Sequence, residues 1–243
     1  MEGQKMGVEK KDLIINGFGS SSGGSFDEVS VNGKGTVVGD IECNKYDCNG
    51  LGNVSGNVTA DRVQINGKGK INGNLVGRDI TVDGHSTLGG DVTYESFRIS
   101  GSCSIGGMVK GERLKINGKA TIGGDCETEE FVSEGIFKIG GLLNAEDIDI
   151  TLYGECMAKE IGGQSIRVRQ KSYGLIKIFK TLFPSRLVAT VIEGDDIYLE
   201  GVRAKIVRGN NVVIGKDCEI DLIEYFEDFT NTKGSKVKEH TKL

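Results

Sequence analysis

The sequence predicts an all-β protein, a parallel β-helix solenoid of about ten coils built on a 17-residue repeat. Three observations predict it. Glycine recurs every 17 residues at Gly33, Gly50, Gly67, Gly84, Gly101, Gly118 and Gly135. Apolar residues stand two and four places before these glycines and four and eight places after them, as at Val63, Ile65, Ile71 and Leu75 around Gly67. A second glycine column, Gly39, Gly56, Gly73, Gly90, Gly107, Gly124 and Gly141, falls between the last two. A spacing of two is strand periodicity, and nothing repeats at 3.6 residues.

The N-terminal 1–11 reads as a flexible, charged segment, and the β-helix domain as 12–229. Asp12 to Gly17 copies Glu28 to Gly33 one residue short of the period, so the first coil starts there, and its serine-rich second half reads as a weak strand pair or a cap. Asn or Asp precedes most corner glycines, a pair expected to turn the chain tightly because both residues tolerate positive φ. The register continues through Ile148, Ile150 and Cys156, then breaks around an insertion at about 170–186. Coils resume at Ile197 with a spacing of 15. From 230 to 243 the chain is polar and lysine-rich, and a disordered tail is expected. At roughly 4.8 Å per coil the rod is about 50 Å long.

Composition agrees with a narrow core. The chain has 38 glycines, one proline, no tryptophan and 6% aromatic residues, which suits a column of small and β-branched side chains. Its six cysteines form no CxxC pair and stand away from histidine, so they read as small hydrophobes rather than metal ligands. Unpaired thiols, with no signal peptide or transmembrane stretch, suit a reducing cytoplasm. A net charge of -5 argues against general nucleic-acid binding.

Catalytic constellations are missing. His85 falls in a column otherwise holding Lys34, Lys68 and Lys119, and His240 falls in the tail. No phosphate loop or nucleophile elbow is present, so no enzyme activity, metal or cofactor is expected. Glu95, Glu112, Glu129 and Glu146 recur at one corner with Asp61, an acidic ladder read first as a solvated edge.

One segment differs in charge. Between Glu160 and Glu193 there is no acidic residue, and the basic residues there include Lys177 and Lys180. Leu175, Ile176, Phe179, Leu182 and Phe183 lie at helical spacing within it. Three readings stand: packing against the side of the β-helix, lying on an anionic membrane surface at the inner face, or docking a membrane protein or other partner.

Units such as Val63-Gln64-Ile65-Asn66-Gly67-Lys68-Gly69-Lys70-Ile71-Asn72-Gly73-Asn74-Leu75 and Ile122-Gly123-Gly124-Asp125 resemble the bactofilins, polymer-forming bacterial cytoskeletal proteins. The likeness covers residues 12 to 165 and, loosely, 195 to 225. It implies a right-handed β-helix that polymerises end to end without nucleotide, with itself or a paralogous subunit, and supports morphogenesis or motility. This chain departs from the family pattern in its number of coils, its basic insertion and its lack of a proline-rich tail.

Polymerisation follows physically from the fold, because an end coil leaves backbone donors, acceptors and an apolar cross-section unsatisfied. Leu13, Ile15 and Phe18 are the expected N-terminal stacking surface, and Ile220, Leu222, Tyr225 and Phe226 stack or cap at the C-terminal end. Rival readings are a hexapeptide-repeat acyltransferase, which the 17-residue period and the setting of His85 disfavour, and a capped β-helix adaptor. A sugar-binding or sugar-cleaving β-helix would cluster carboxylates with aromatics, and Tyr94, Tyr153 and Glu95 make no convincing cluster.

Overall fold

Alternating apolar residues, with a glycine at each corner, produce strands that only a neighbouring coil can complete. The computed structural model describes residues 10–171 and 185–243. Among them are twenty strands, numbered β1–β20 in chain order, and no helix. Every strand pairing is parallel.

Parallel pairing at this period puts equivalent residues above one another. Leu13, Val29, Tyr46, Val63, Ile80, Phe97, Leu114, Phe131, Ile148, Ile166, Ile197, Val212 and Phe229 form one column. The solenoid therefore has about 13 turns rather than ten, a rod of about 58 Å from first rung to last. The additional turns come from the interrupted coil and from the C-terminal residues.

Each coil has three short faces. The first is exemplified by Arg62–Ile65, with Val63 and Ile65 inward. The second is exemplified by β5 (Leu51–Val54), with Gly52 and Val54 inward. The third begins β6 (Val58–Ile65), with Val58 and Ala60 inward. Between third and first faces the ladder skips Asp61, pairing Ala60 with Gly77 and Arg62 with Asp79, which marks a corner. The core is a file of inward side chains, nearly all aliphatic or aromatic. Ser133 is fully buried in it, standing between Ile116 and Ile150 with no partner for its hydroxyl among the described residues.

The corner glycines are required for a different reason from the one expected. Positive φ among described glycines occurs only at Gly24, Gly39, Gly201 and Gly234. A Cβ on Gly33, Gly50, Gly67, Gly84, Gly101, Gly118 or Gly135 would instead overlap the carbonyl oxygen of the glycine one coil earlier. Close coil stacking, not turn geometry, excludes a side chain there. The asparagines beside them bond vertically: Asn32 donates to Asn16 at 2.9 Å, Asn49 to Asn32 at 3.0 Å and Asn66 to Asn49 at 2.8 Å.

The C-terminal region corrects a second expectation. Residues 230–243 are not a disordered tail: β19 (Glu219–Asn231) runs past Phe229, and β20 (Lys236–Lys242) pairs with it. Polar composition concealed this because a last coil keeps one edge in water and needs few apolar residues. Its lysines meet carboxylates on the coil beneath, Lys238 to Asp221 at 2.7 Å and Lys236 to Glu219 at 3.8 Å.

Candidate assembly surfaces

At the N-terminal end, β1 (Leu13–Ile15) pairs only with β3 (Glu28–Val31) among the described residues, so its other edge carries unpaired backbone groups. Ile15 is buried and Leu13 half-buried in this first rung. Ile14 is 57% exposed, and Phe18, opening β2 (Phe18–Ser25), is 91% exposed. A phenylalanine in water beside an open apolar rung is a surface suited to burial.

The C-terminal end is covered instead. Ile220 is buried between Ala204 and Val237, and Leu222 lies between Ile206 and Glu239. Tyr225 pairs with Lys242 and stacks on Phe229 with ring centres 5.5 Å apart. The expected stacking set is therefore one coil short of the end, and of the four only Phe226, 48% exposed, stays open. His240, read from sequence as part of a loose tail, sits with its ring 5.0 Å from that of Phe229 on the last coil. Arg203 bonds Glu219 at 2.6 Å and holds that carboxyl below the usual carboxylate range. The Asp221 carboxylate likewise raises the Lys238 ammonium.

Leu175, Ile176, Lys177, Phe179, Lys180, Leu182 and Phe183 lie outside the described residues. The flanks of that insertion meet at one corner. The Gln170 amide nitrogen donates to the Ser185 carbonyl at 3.3 Å, and the Gln170 backbone N–H donates to Glu200 at 3.0 Å. Lys171 stands 4.2 Å over the Tyr153 ring. No helix among the described residues is long and apolar enough to cross a membrane.

The remaining polar candidates are spread out. His85 is exposed and pairs along the second face with Lys68 and Ser102. Tyr94 points into the core edge-on to Phe97, while Glu95 points into water, so the two share no site. Asp61, Glu95, Glu129 and Glu146 are exposed. All six cysteines are free and buried. Burial pushes Cys103 and Cys126 up to about 12 and Cys43, Cys156 and Cys218 up to about 11, which leaves neutral thiols with little nucleophilic or metal-binding character. No group of three or more metal-binding side chains occurs among the described residues.

Sequence reasoning missed one surface. The residue after each corner glycine and the residue two places on both point outward on the second face, and several are lysines; the column through His85 was the signal.

A family model described as "Bactofilin: Polymer-forming cytoskeletal" matches residues 5–92 and 51–127. The chain is 60% identical over 237 residues to the uncharacterized protein YhbE of Bacillus subtilis (strain 168), covering 97% of this chain and 99% of that one. It is 39% identical over 103 residues to the uncharacterized protein YhbF of the same bacterium, 42% of each chain. No solved structure matches it.

Proposed function

The chain belongs to the bactofilin family of polymer-forming cytoskeletal proteins, and from that premise we propose that it is a non-enzymatic scaffold that self-associates, without nucleotide, through the N-terminal end of its β-helix. The observation that carries this reading is the first coil, whose outer strand edge has no partner among the described residues, with Leu13 and Ile15 in its rung and Phe18 in water. Stacking a second subunit there pairs the edge and removes the phenylalanine from solvent, two gains that arise together. The partner is a second copy or a paralogous subunit. At the other end the exposed Phe226, beside the charged β20, supplies the second contact.

Six free, buried thiols support a cytoplasmic setting. The basic, apolar insertion at 170–186 is the segment we assign to a membrane face or a membrane protein, and cell shape or motility is the process such a scaffold would serve. The test is high-speed sedimentation and electron microscopy of the full chain in nucleotide-free buffer. The double variant Leu13→Asp, Ile15→Asp is expected to lose at least about 90% of its pelletable polymer, because each buried charge carries a large desolvation cost. Circular dichroism checks that the β-helix is retained. Filaments unchanged in yield and length from a folded variant would overturn end stacking through this coil.

A further inference from the structure

The charges of the rod are sorted by face. From Lys34 to Ile139 the second face consists of seven four-residue steps, KGTV, LGNV, KGKI, HSTL, SCSI, KATI and IFKI, which contain five lysines and no carboxylate. The adjacent third face, over the same coils from Asp40 to Glu146, has ten carboxylates and two cations, Arg78 and Lys110. A chain of net charge -5 thus presents a basic stripe and an acidic stripe of equal length, side by side.

The lysines of the basic stripe are unspent within the rod, as are four of the ten carboxylates. Of the other six, Glu42 pairs with Lys10 at 3.0 Å, Glu127 with Lys110 at 2.7 Å and Glu112 with Arg113 at 3.9 Å, and Asp40, Asp91 and Asp125 accept the backbone N–H groups of Asn57, Met108 and Leu142. Lys34, Lys68, Lys70, Lys119 and Lys138 are exposed and make no ion pair among the described residues, and the same holds for Asp61, Glu95, Glu129 and Glu146. The first face differs. Its charges are mixed in sign, and some pair within the face, Lys45 with Glu28 at 3.3 Å and Arg169 with Asp149 at 2.7 Å. Large apolar side chains in water also occur on the two sorted faces: Leu51 and Ile136 on the basic one, Val76 and Met108 on the acidic one.

We propose that rods associate side by side, the basic face of one copy lying on the acidic face of a second copy. Complementary sign is the first argument. The second is spacing: both stripes repeat at the coil rise of about 4.8 Å, so two rods stay matched along their length. Exposed ion pairs contribute little one at a time, and repetition with Leu51, Ile136, Val76 and Met108 becoming buried between them makes the contact persistent. Because the two surfaces differ, each added rod leaves one face of each kind free, and growth is open rather than limited to pairs. Single rods carry both faces, so the contact does not depend on end stacking.

The test reads particle width against salt, since lateral association widens particles whereas end stacking lengthens them. Wild-type particles in electron micrographs and light scattering should be several rods wide at about 50 mM NaCl and one rod wide at about 500 mM, where charges are screened within a few ångströms. The triple variant Lys68→Glu, Lys70→Glu, Lys119→Glu should be one rod wide at low salt, as should Glu95→Lys, Glu112→Lys, Glu129→Lys. An equal mixture of the two variants should regain width. Arg62→Glu, Arg98→Glu, Lys115→Glu, with the same change in net charge as the lysine variant but on the first face, should behave as wild type. Wild-type particles one rod wide at low salt, or a mixture that stays narrow, would overturn the proposal. So would a lysine variant that keeps its width while losing cosedimentation with phosphatidylglycerol vesicles, an outcome assigning the basic face to an anionic membrane.

Discussion

At the scale of single residues, the glycines show how closely the coils approach. Gly67 and Gly17 occupy the same column, but a Cβ at Gly67 would overlap the Gly50 carbonyl oxygen, whereas nothing lies within 4 Å of a Cβ at Gly17. Neither backbone is left-handed. Gly67→Ala must push two backbones apart and is expected to cost about 2–3 kcal/mol. That is a fall of about 5–10 °C in Tm for a chain of this size. Gly17→Ala, at the end of the stack, should change stability by less than about 0.5 kcal/mol. Thermal unfolding of the two variants checks the pair, and equal effects would refute the stacking explanation.

Among the elements, β20 governs the C-terminal end. It covers Ile220 and Ile223 of β19 while presenting Lys236, Lys238, Glu239 and Lys242 to water. Charged edge strands oppose further strand addition, because a pairing partner would have to desolvate them. Truncation after Thr232 removes the strand and leaves the rung of Ile220, Ile223 and Tyr225 open. The shortened chain is expected to pellet at lower protein concentration and to bind more of an apolar dye. Assembly identical to that of the full chain would show that β20 does not restrain this end. Elsewhere, β16 (Glu155–Gln170) and β17 (Arg186–Leu199) hold the coil together across the insertion, with Ile166 still above Ile197. An excursion that leaves and returns at one corner costs the stack little, since loop closure grows slowly with length.

Over the whole molecule, about 13 turns at about 4.8 Å fix the axial dimension before any partner is considered. If subunits stack end to end with normal strand spacing at the joint, the axial repeat is about 62 Å, or twice that where alternate subunits point in opposite directions. Electron micrographs or diffraction from aligned filaments should show this repeat together with a reflection at about 4.8 Å along the axis. A repeat unrelated to 62 Å would mean that the ends do not meet through continuous strand pairing. The rod's other property at this scale is its sorted charge. Along it, neighbouring rods in lateral contact meet over many coils at once, whereas each end offers a single cross-section.

The sequence by itself determined the fold class, the repeat length, the inward columns from Val29 to Ile150 and the buried state of the thiols, because each depends on a short-range pattern copied every 17 residues. Its reading of the corner glycines reached the right positions through the wrong cause. Clearance between coils is a distance between residues far apart in the chain, and no local φ preference reports it. Only the tertiary structure decided which coil is last, since a terminal strand such as Lys236–Lys242 is held by backbone pairing and charge complementarity to one neighbour and needs almost no apolar signature of its own. It alone also decided which charges share a face. Lys70, Lys119 and Lys138 are scattered through the sequence as isolated residues and form one surface only when coiling brings every seventeenth position into line.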